Sequence, residues 1–166
     1  VCSSDLPAAP ARLVAYPTFD MVDRAPREIP AVMLASGDAG AGPAPVVVLL
    51  GDPPAQWTVG DHPFFGPLAQ VLRESLGAAV VAPNLRGASG YGQSYARLDD
   101  GEKRADVIQD VGALLDWIGQ QPDLDESRVA VLGFSRGGTL ALASLAKYAD
   151  RLAGGIVGSP VQDPDL

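Results

Sequence analysis

Two periods of apolar and polar positions alternate along this chain, and the points where they switch predict its elements. Val46-Val47-Val48-Leu49-Leu50 is an unbroken β-branched and aliphatic run. That is the pattern of a strand buried on both faces. Ala78 to Ala82, Arg128 to Leu132 and Gly155 to Val157 read as further short strands. Leu13 to Phe19 and Ile29 to Ala35 read as two more, joined by a polar turn around Asp23-Arg24-Ala25-Pro26 and predicted to pair antiparallel.

Elsewhere the period lengthens. Leu68, Val71, Leu72 and Leu76 fall at i, i+3, i+4 and i+8, so Leu68 to Leu76 predicts a helix with one apolar face, ended by Gly77. Arg104 to Gln120 predicts the clearest helix, with Val107, Val111, Leu114, Leu115 and Ile118 as its stripe and Pro122 as its stop. Thr139 to Ala149 predicts a third. Ser36 to Pro45, Gly51 to Pro67 and Pro83 to Gly101 read as loops. Strands alternating with helices predict an α/β fold, a mainly parallel sheet with helices on both faces.

Composition narrows the classes of function. At 166 residues the chain can hold one domain with a proper core. A formal net charge of −8 argues against nucleic acid and anionic membrane as partners. No apolar run approaches the ~20 residues of a membrane span. The single cysteine, Cys2, leaves no internal disulfide framework. Val1 to Leu6 lacks an initiator methionine and reads as the translation of GTG TGC TCT TCC GAT CT, which resembles a sequencing-adapter tail. Residues 1–6 are therefore taken as a non-native leader, and residues 7–166 as the N-terminal part of one domain.

The chemistry concentrates at Gly133-Phe134-Ser135-Arg136-Gly137. An apolar strand precedes it and a run of helix formers follows, which is the strand, sharp turn and helix of a nucleophile elbow. Side chains at the flanking positions would collide with such a turn, so glycines are needed there. A glycine turn can also serve close packing or phosphate binding. This one lacks the Lys-Ser/Thr ending of a P-loop and the spacing of a dinucleotide fingerprint.

Three segments together carry a more specific resemblance. They are Asn84-Leu85-Arg86-Gly87-Ala88-Ser89-Gly90-Tyr91-Gly92, the stretch from Asp99 to Arg104 leading into Asp110 and Leu114 to Ile118, and Arg128 to Gly138. From Leu13 to its C-terminus the chain resembles the catalytic α/β-hydrolase domain of the prolyl oligopeptidase family of serine peptidases. The resemblance implies peptide-bond hydrolysis through an acyl-enzyme on Ser135, short peptides as substrates, no cofactor, and an N-terminal β-propeller elsewhere in the full-length protein. A carboxylesterase of the same fold and a non-catalytic module that binds a peptide or partner remain as alternatives.

The resemblance also implies site residues. A serine hydroxyl needs a histidine to take its proton. The family order is Ser-Asp-His, and the only histidine here, His62, precedes the elbow. His62 is therefore expected to be a loop residue out of reach of Ser135. The catalytic Asp and His are expected beyond Leu166, and these residues alone are expected not to turn over peptides.

Oxyanion donors are expected at the backbone N–H of Arg136 and in the segment after Val46 to Leu50, here Gly51-Asp52-Pro53-Pro54. Gly51 has no side chain to donate and the prolines have no N–H, so weakened activity is expected unless the loop bends to supply the Asp52 N–H. An inward, ionised Asp52 would instead repel the oxyanion, and a missing donor costs ~3 kcal/mol of transition-state stabilisation. Arg86 reads as support for the site, predicted to pair with Asp110 or, as second choice, Asp106. Tyr91 is expected to line the pocket. Arg136 reads as a solvated arginine or as a cation favouring acidic substrates. Asp99, Asp100, Glu102, Lys103 and Arg104 read as a solvated helix entry. No spacing suggests a metal site.

Overall fold

The computed structural model describes residues 11–37, 42–51, 56–58 and 65–162. His62, Asp52, Pro53, Pro54 and the leader 1–6 lie outside the described residues, and so do the expectations that fell on them.

The strands are β1 (Ala11–Val22), β2 (Ala25–Leu34), β3 (Ala44–Leu50), β4 (Ala79–Pro83), β5 (Leu124–Phe134) and β6 (Gly154–Gly158). They form one six-stranded sheet in the order β1-β2-β4-β3-β5-β6. The four strands β4, β3, β5 and β6 are parallel, as the apolar runs predict. β1 and β2 add an antiparallel hairpin to the β4 edge. Asp23 and Arg24 close that hairpin at φ 50° and 70°, the left-handed pair of a two-residue turn.

The helices are α1 (Phe65–Leu76), the single turn α2 (Gln93–Ala96), α3 (Asp106–Gly119) and α4 (Arg136–Lys147). Side chains alternate across the sheet with period two, so the central strands serve two cores. Val46, Val48 and Leu50 of β3 and Ala79 and Val81 of β4 join the α3 and α4 side. Leu49 of β3 and Val80 and Ala82 of β4 join Ala69 and Leu72 of α1 on the other. Helices thus cover both faces, as expected.

Three local readings are corrected. Val71 and Leu76 of α1 are exposed, and Ala69 with Leu72 makes the contact to the sheet. Ala69 lies fully buried against the sheet beside Leu72, with Leu68 packed against them. Within Pro83 to Gly101, read as a loop, residues 93–96 form α2. The helix read from Arg104 begins at Asp106, because Gly101–Ala105 is wound as a 3-10 turn. The apolar stripe of α3 is buried throughout, as expected.

Candidate active site

Ser135 joins β5 to α4 with φ 56° and ψ −127°. An L-residue pays strain to stay there, of order 1–3 kcal/mol, and does so only where its surroundings fix it. The glycines supply that constraint. A Cβ on Gly133 would strike the Gly137 carbonyl, and one on Gly137 would strike the Leu50 carbonyl at the end of β3. The Ser135 N–H donates to Gly158 O at 3.0 Å, and Thr139 N–H donates to Ser135 O at 3.1 Å. The serine is therefore held half-buried at the C-terminal end of the parallel strands. Arg136 is the first residue of α4, where backbone amides have no partner within the helix and the dipole favours negative charge.

The loop after β4 carries two buried polar side chains, Asn84 and Arg86, that reach in different directions. Asn84 reaches toward the segment that follows β3. Its Oδ1 accepts from the Trp57 N–H at 2.6 Å, and its Nδ2 donates to Trp57 O and to Tyr91 Oη, each at 2.9 Å. The Trp57 indole covers Gly51, so close that its Nε1 would stand 2.8 Å from a Cβ there. Tyr91 packs on Tyr95, with ring centroids 5.2 Å apart.

Arg86 reaches toward α3 and the hairpin. It bonds Asp110 through Nε and Nη2, both at 2.7 Å, and meets Asp106 at 3.5 Å and Asp20 at 3.3 Å. Both expected carboxylates are therefore present, Asp110 as the first. The third, Asp20, comes from a bulge in β1. Pro17 pairs with Glu28 and Met21 with Pro26, so Thr18, Phe19 and Asp20 stand opposite Arg27 alone. The bulge turns all three toward the cluster. Thr18 Oγ1 donates to Asp110 Oδ1 at 2.7 Å, and the Phe19 ring lies 4.6 Å from the guanidinium carbon.

The electrostatics follow from burial and from an excess of carboxylates. Burial pushes the Asp110 carboxyl up, and the bonds from Arg86 and Thr18 offset this only in part. Burial opposes the Arg86 charge, but Asp110, Asp20 and Asp106 outweigh it and raise its pKa. Burial also works upward on Asp20, yet its bonds to Arg27 and Arg86 leave its carboxyl below the ordinary value.

Asp99 departs from the reading of a solvated helix entry. It is 9% exposed, and its carboxylate meets Arg136 Nη2 at 3.4 Å. Arg136, read as solvated or as a free cation, is thus an ion-paired side chain. The sequence reading missed the roles of Asp99, Asn84 and Trp57. Asn84 and Asp99 both lay inside quoted motifs, and Asn84 also stood just after a buried strand. Among the described residues, no group of three or more His, Cys, Asp and Glu side chains could hold a metal ion. No helix among them is long and apolar enough to cross a membrane.

Residues 64–166 match the prolyl oligopeptidase family. Over 115 residues the chain is 30% identical to dipeptidyl aminopeptidase BIII of Pseudoxanthomonas mexicana, covering 69% of this chain and 16% of that protein. Over 87 residues it is 30% identical to prolyl oligopeptidase A of Amanita bisporigera, covering 52% and 11%. The chain therefore spans under a fifth of the length of either relative. An acylaminoacyl peptidase structure from Pyrococcus horikoshii superposes with a TM-score of 0.75 at 20% identity, over 94% of this chain and 24% of that one. At that identity the likeness is one of fold.

Proposed function

The chain belongs to the prolyl oligopeptidase family, and from that premise we propose that Ser135 is the nucleophile of a serine peptidase acting on short peptides in the full-length protein. The observation that carries the proposal is the strained Ser135 backbone at the β5–α4 junction, held by backbone contacts that leave no room for a side chain at 133 or 137. Such strain at a reactive residue type is the signature of an elbow that lifts Oγ out of the sheet.

In this reading Oγ attacks the scissile carbonyl carbon while a histidine takes its proton. The carbonyl oxygen becomes an oxyanion at the N-terminus of α4, where the Arg136 N–H donates to it. The carbon–nitrogen bond then breaks, and the amine leaves with the proton from the histidine. Water attacks the acyl-serine by the same route and frees the acid. The second oxyanion donor is assigned to Asp52 N–H. The histidine and its orienting carboxylate follow Ser135 in the full-length protein, in the family's Ser-Asp-His order. Arg86 and Asp110 support the site from below, and Tyr91 lines it.

The test is full-length enzyme on a dipeptide p-nitroanilide and on a short p-nitrophenyl ester. Cleavage of the anilide, abolished by Ser135→Ala, is the expected result. Cleavage of the ester alone identifies a carboxylesterase, and cleavage of neither identifies a binding module.

A further inference from the structure

The strand beside β5 also runs into a strained serine. Ser159, just past the C-terminal end of β6, lies at φ 43°. That is the left-handed region, which residues other than glycine rarely adopt. Pro160 follows it, and a residue before proline is pushed toward extended backbone with negative φ. Ser159 is thus out of place on both counts, and such a residue stays there only where its surroundings hold it.

The surroundings are the elbow. On one side of Ser159, the Gly158 carbonyl accepts the Ser135 N–H at 3.0 Å. A Cβ on Gly138 would stand 2.6 Å from that same oxygen, so the first turn of α4 closes on it as nearly as a glycine allows. On the other side, the Val161 carbonyl accepts the Thr139 hydroxyl at 2.7 Å. A threonine inside a helix commonly turns its hydroxyl back to the carbonyl four residues before it. Here that carbonyl is Ser135 O, at 3.5 Å, so the shorter bond leaves the helix for the turn after β6. The Thr139 N–H meanwhile donates to Ser135 O at 3.1 Å. The contacts form a closed ring, from Ser135 to Gly158, along the turn to Val161, across to Thr139 and back to Ser135. Ser135 and Ser159, the strained pair, both lie on it.

We propose that Thr139 is a positioning residue for Ser135: its hydroxyl latches the strained turn after β6, and the latched turn keeps the Gly158 carbonyl on the Ser135 N–H. Thr139 acts through the turn and touches no reacting atom. This rests on the reading of Ser135 as the nucleophile. Without the hydroxyl, Ser159 relaxes toward negative φ and the Gly158 carbonyl shifts. The Ser135 Oγ then samples more orientations than the one that attacks. The loss falls on the chemical step, so kcat drops while KM holds.

The experiment uses the full-length enzyme with a dipeptide p-nitroanilide and with an uncharged fluorophosphonate, below the unfolding midpoint of each variant. Thr139→Val keeps the shape and loses the donor. It is expected to lower kcat and the labelling rate about tenfold, the scale of one hydrogen bond, with KM unchanged. Thr139→Ala serves the same comparison if valine does not fold. Thr139→Ser keeps the donor and is expected to stay close to wild type. Ser159→Gly added to Thr139→Val removes the strain that the latch opposes, and returns part of the lost rate. A tie that serves stability alone would lower the unfolding midpoint and leave kcat and labelling of the folded enzyme unmoved, and that result overturns the proposal. So does a Thr139→Ser enzyme as slow as Thr139→Val, or no recovery from Ser159→Gly. In each of these cases a wild type that labels leaves the peptidase reading intact. A wild type that does not label overturns both.

Discussion

Arg86 and Asp110 meet in a two-bond fork, Nε to Oδ2 and Nη2 to Oδ1, each at 2.7 Å, with side chains 2% and 0% exposed. One end of the fork stands on the loop that follows β4 and the other on α3. The bulge of β1 closes over both. The fork therefore ties three separate elements beneath the loop that carries Gly87 and Tyr91.

Removing one partner strands the other charge away from water. Asp110→Ala is expected to lower the unfolding free energy by about 3–5 kcal/mol. Arg86→Lys is expected to be destabilising too, because an ammonium cannot make the planar fork. Denaturant titration of each variant checks both, and a loss under 1 kcal/mol for Asp110→Ala would contradict the picture (about the worth of an exposed pair).

Asp20 gives a pH signature. Its folded carboxyl lies below its ordinary value of 3.8. Its stabilisation is present above the unfolded value and is lost as pH falls through the lower folded one. Asp20→Asn should therefore be less stable than wild type near neutrality, with the gap closing on the acid side of 3.8. Unfolding free energies at about pH 6 and about pH 3 measure the gap, and a gap that widens at low pH would reverse the sign argued.

The elbow glycines separate space from conformation. Gly133→Ala and Gly137→Ala place a methyl group against backbone carbonyls, so each should abolish reactivity of Ser135. Gly42→Ala meets nothing within 4 Å and should leave stability within about 0.5 kcal/mol. Circular dichroism with active-serine labelling distinguishes a lost elbow from a lost fold.

Asn84 makes a prediction about order. Its amide pairs with both main-chain groups of Trp57. Asn84→Ala removes the acceptor of the Trp57 N–H, and hydrogen exchange at the Trp57 amide should accelerate by tenfold or more, roughly the worth of one hydrogen bond to a buried group. Unchanged exchange would mean that another contact holds Trp57.

The sheet was legible in the sequence because its strands are local runs. Val46 to Leu50 and Ala78 to Ala82 announce burial by composition alone, and Ser135 announces itself by its glycines. Arg86–Asp110 was within reach because a cation just after a buried strand needs a carboxylate, and α3 offers one. The orientation of α1 was not legible. Val71 and Leu76 have the spacing of a buried face, but the helix turns Ala69 and Leu72 to the sheet instead. Asp20 was hidden because only the bulge brings it to Arg86. Asn84–Trp57 and Asp99–Arg136 join residues 27 and 37 positions apart, and no local period encodes such pairs.

The most direct measurement is to treat the full-length protein with an uncharged fluorophosphonate and map the adduct by peptide mass spectrometry. The account predicts one covalent adduct, on Ser135, lost in Ser135→Ala and in Gly137→Ala. An adduct on another serine, or none on a folded and peptide-cleaving enzyme, would contradict the assignment of Ser135 as the nucleophile.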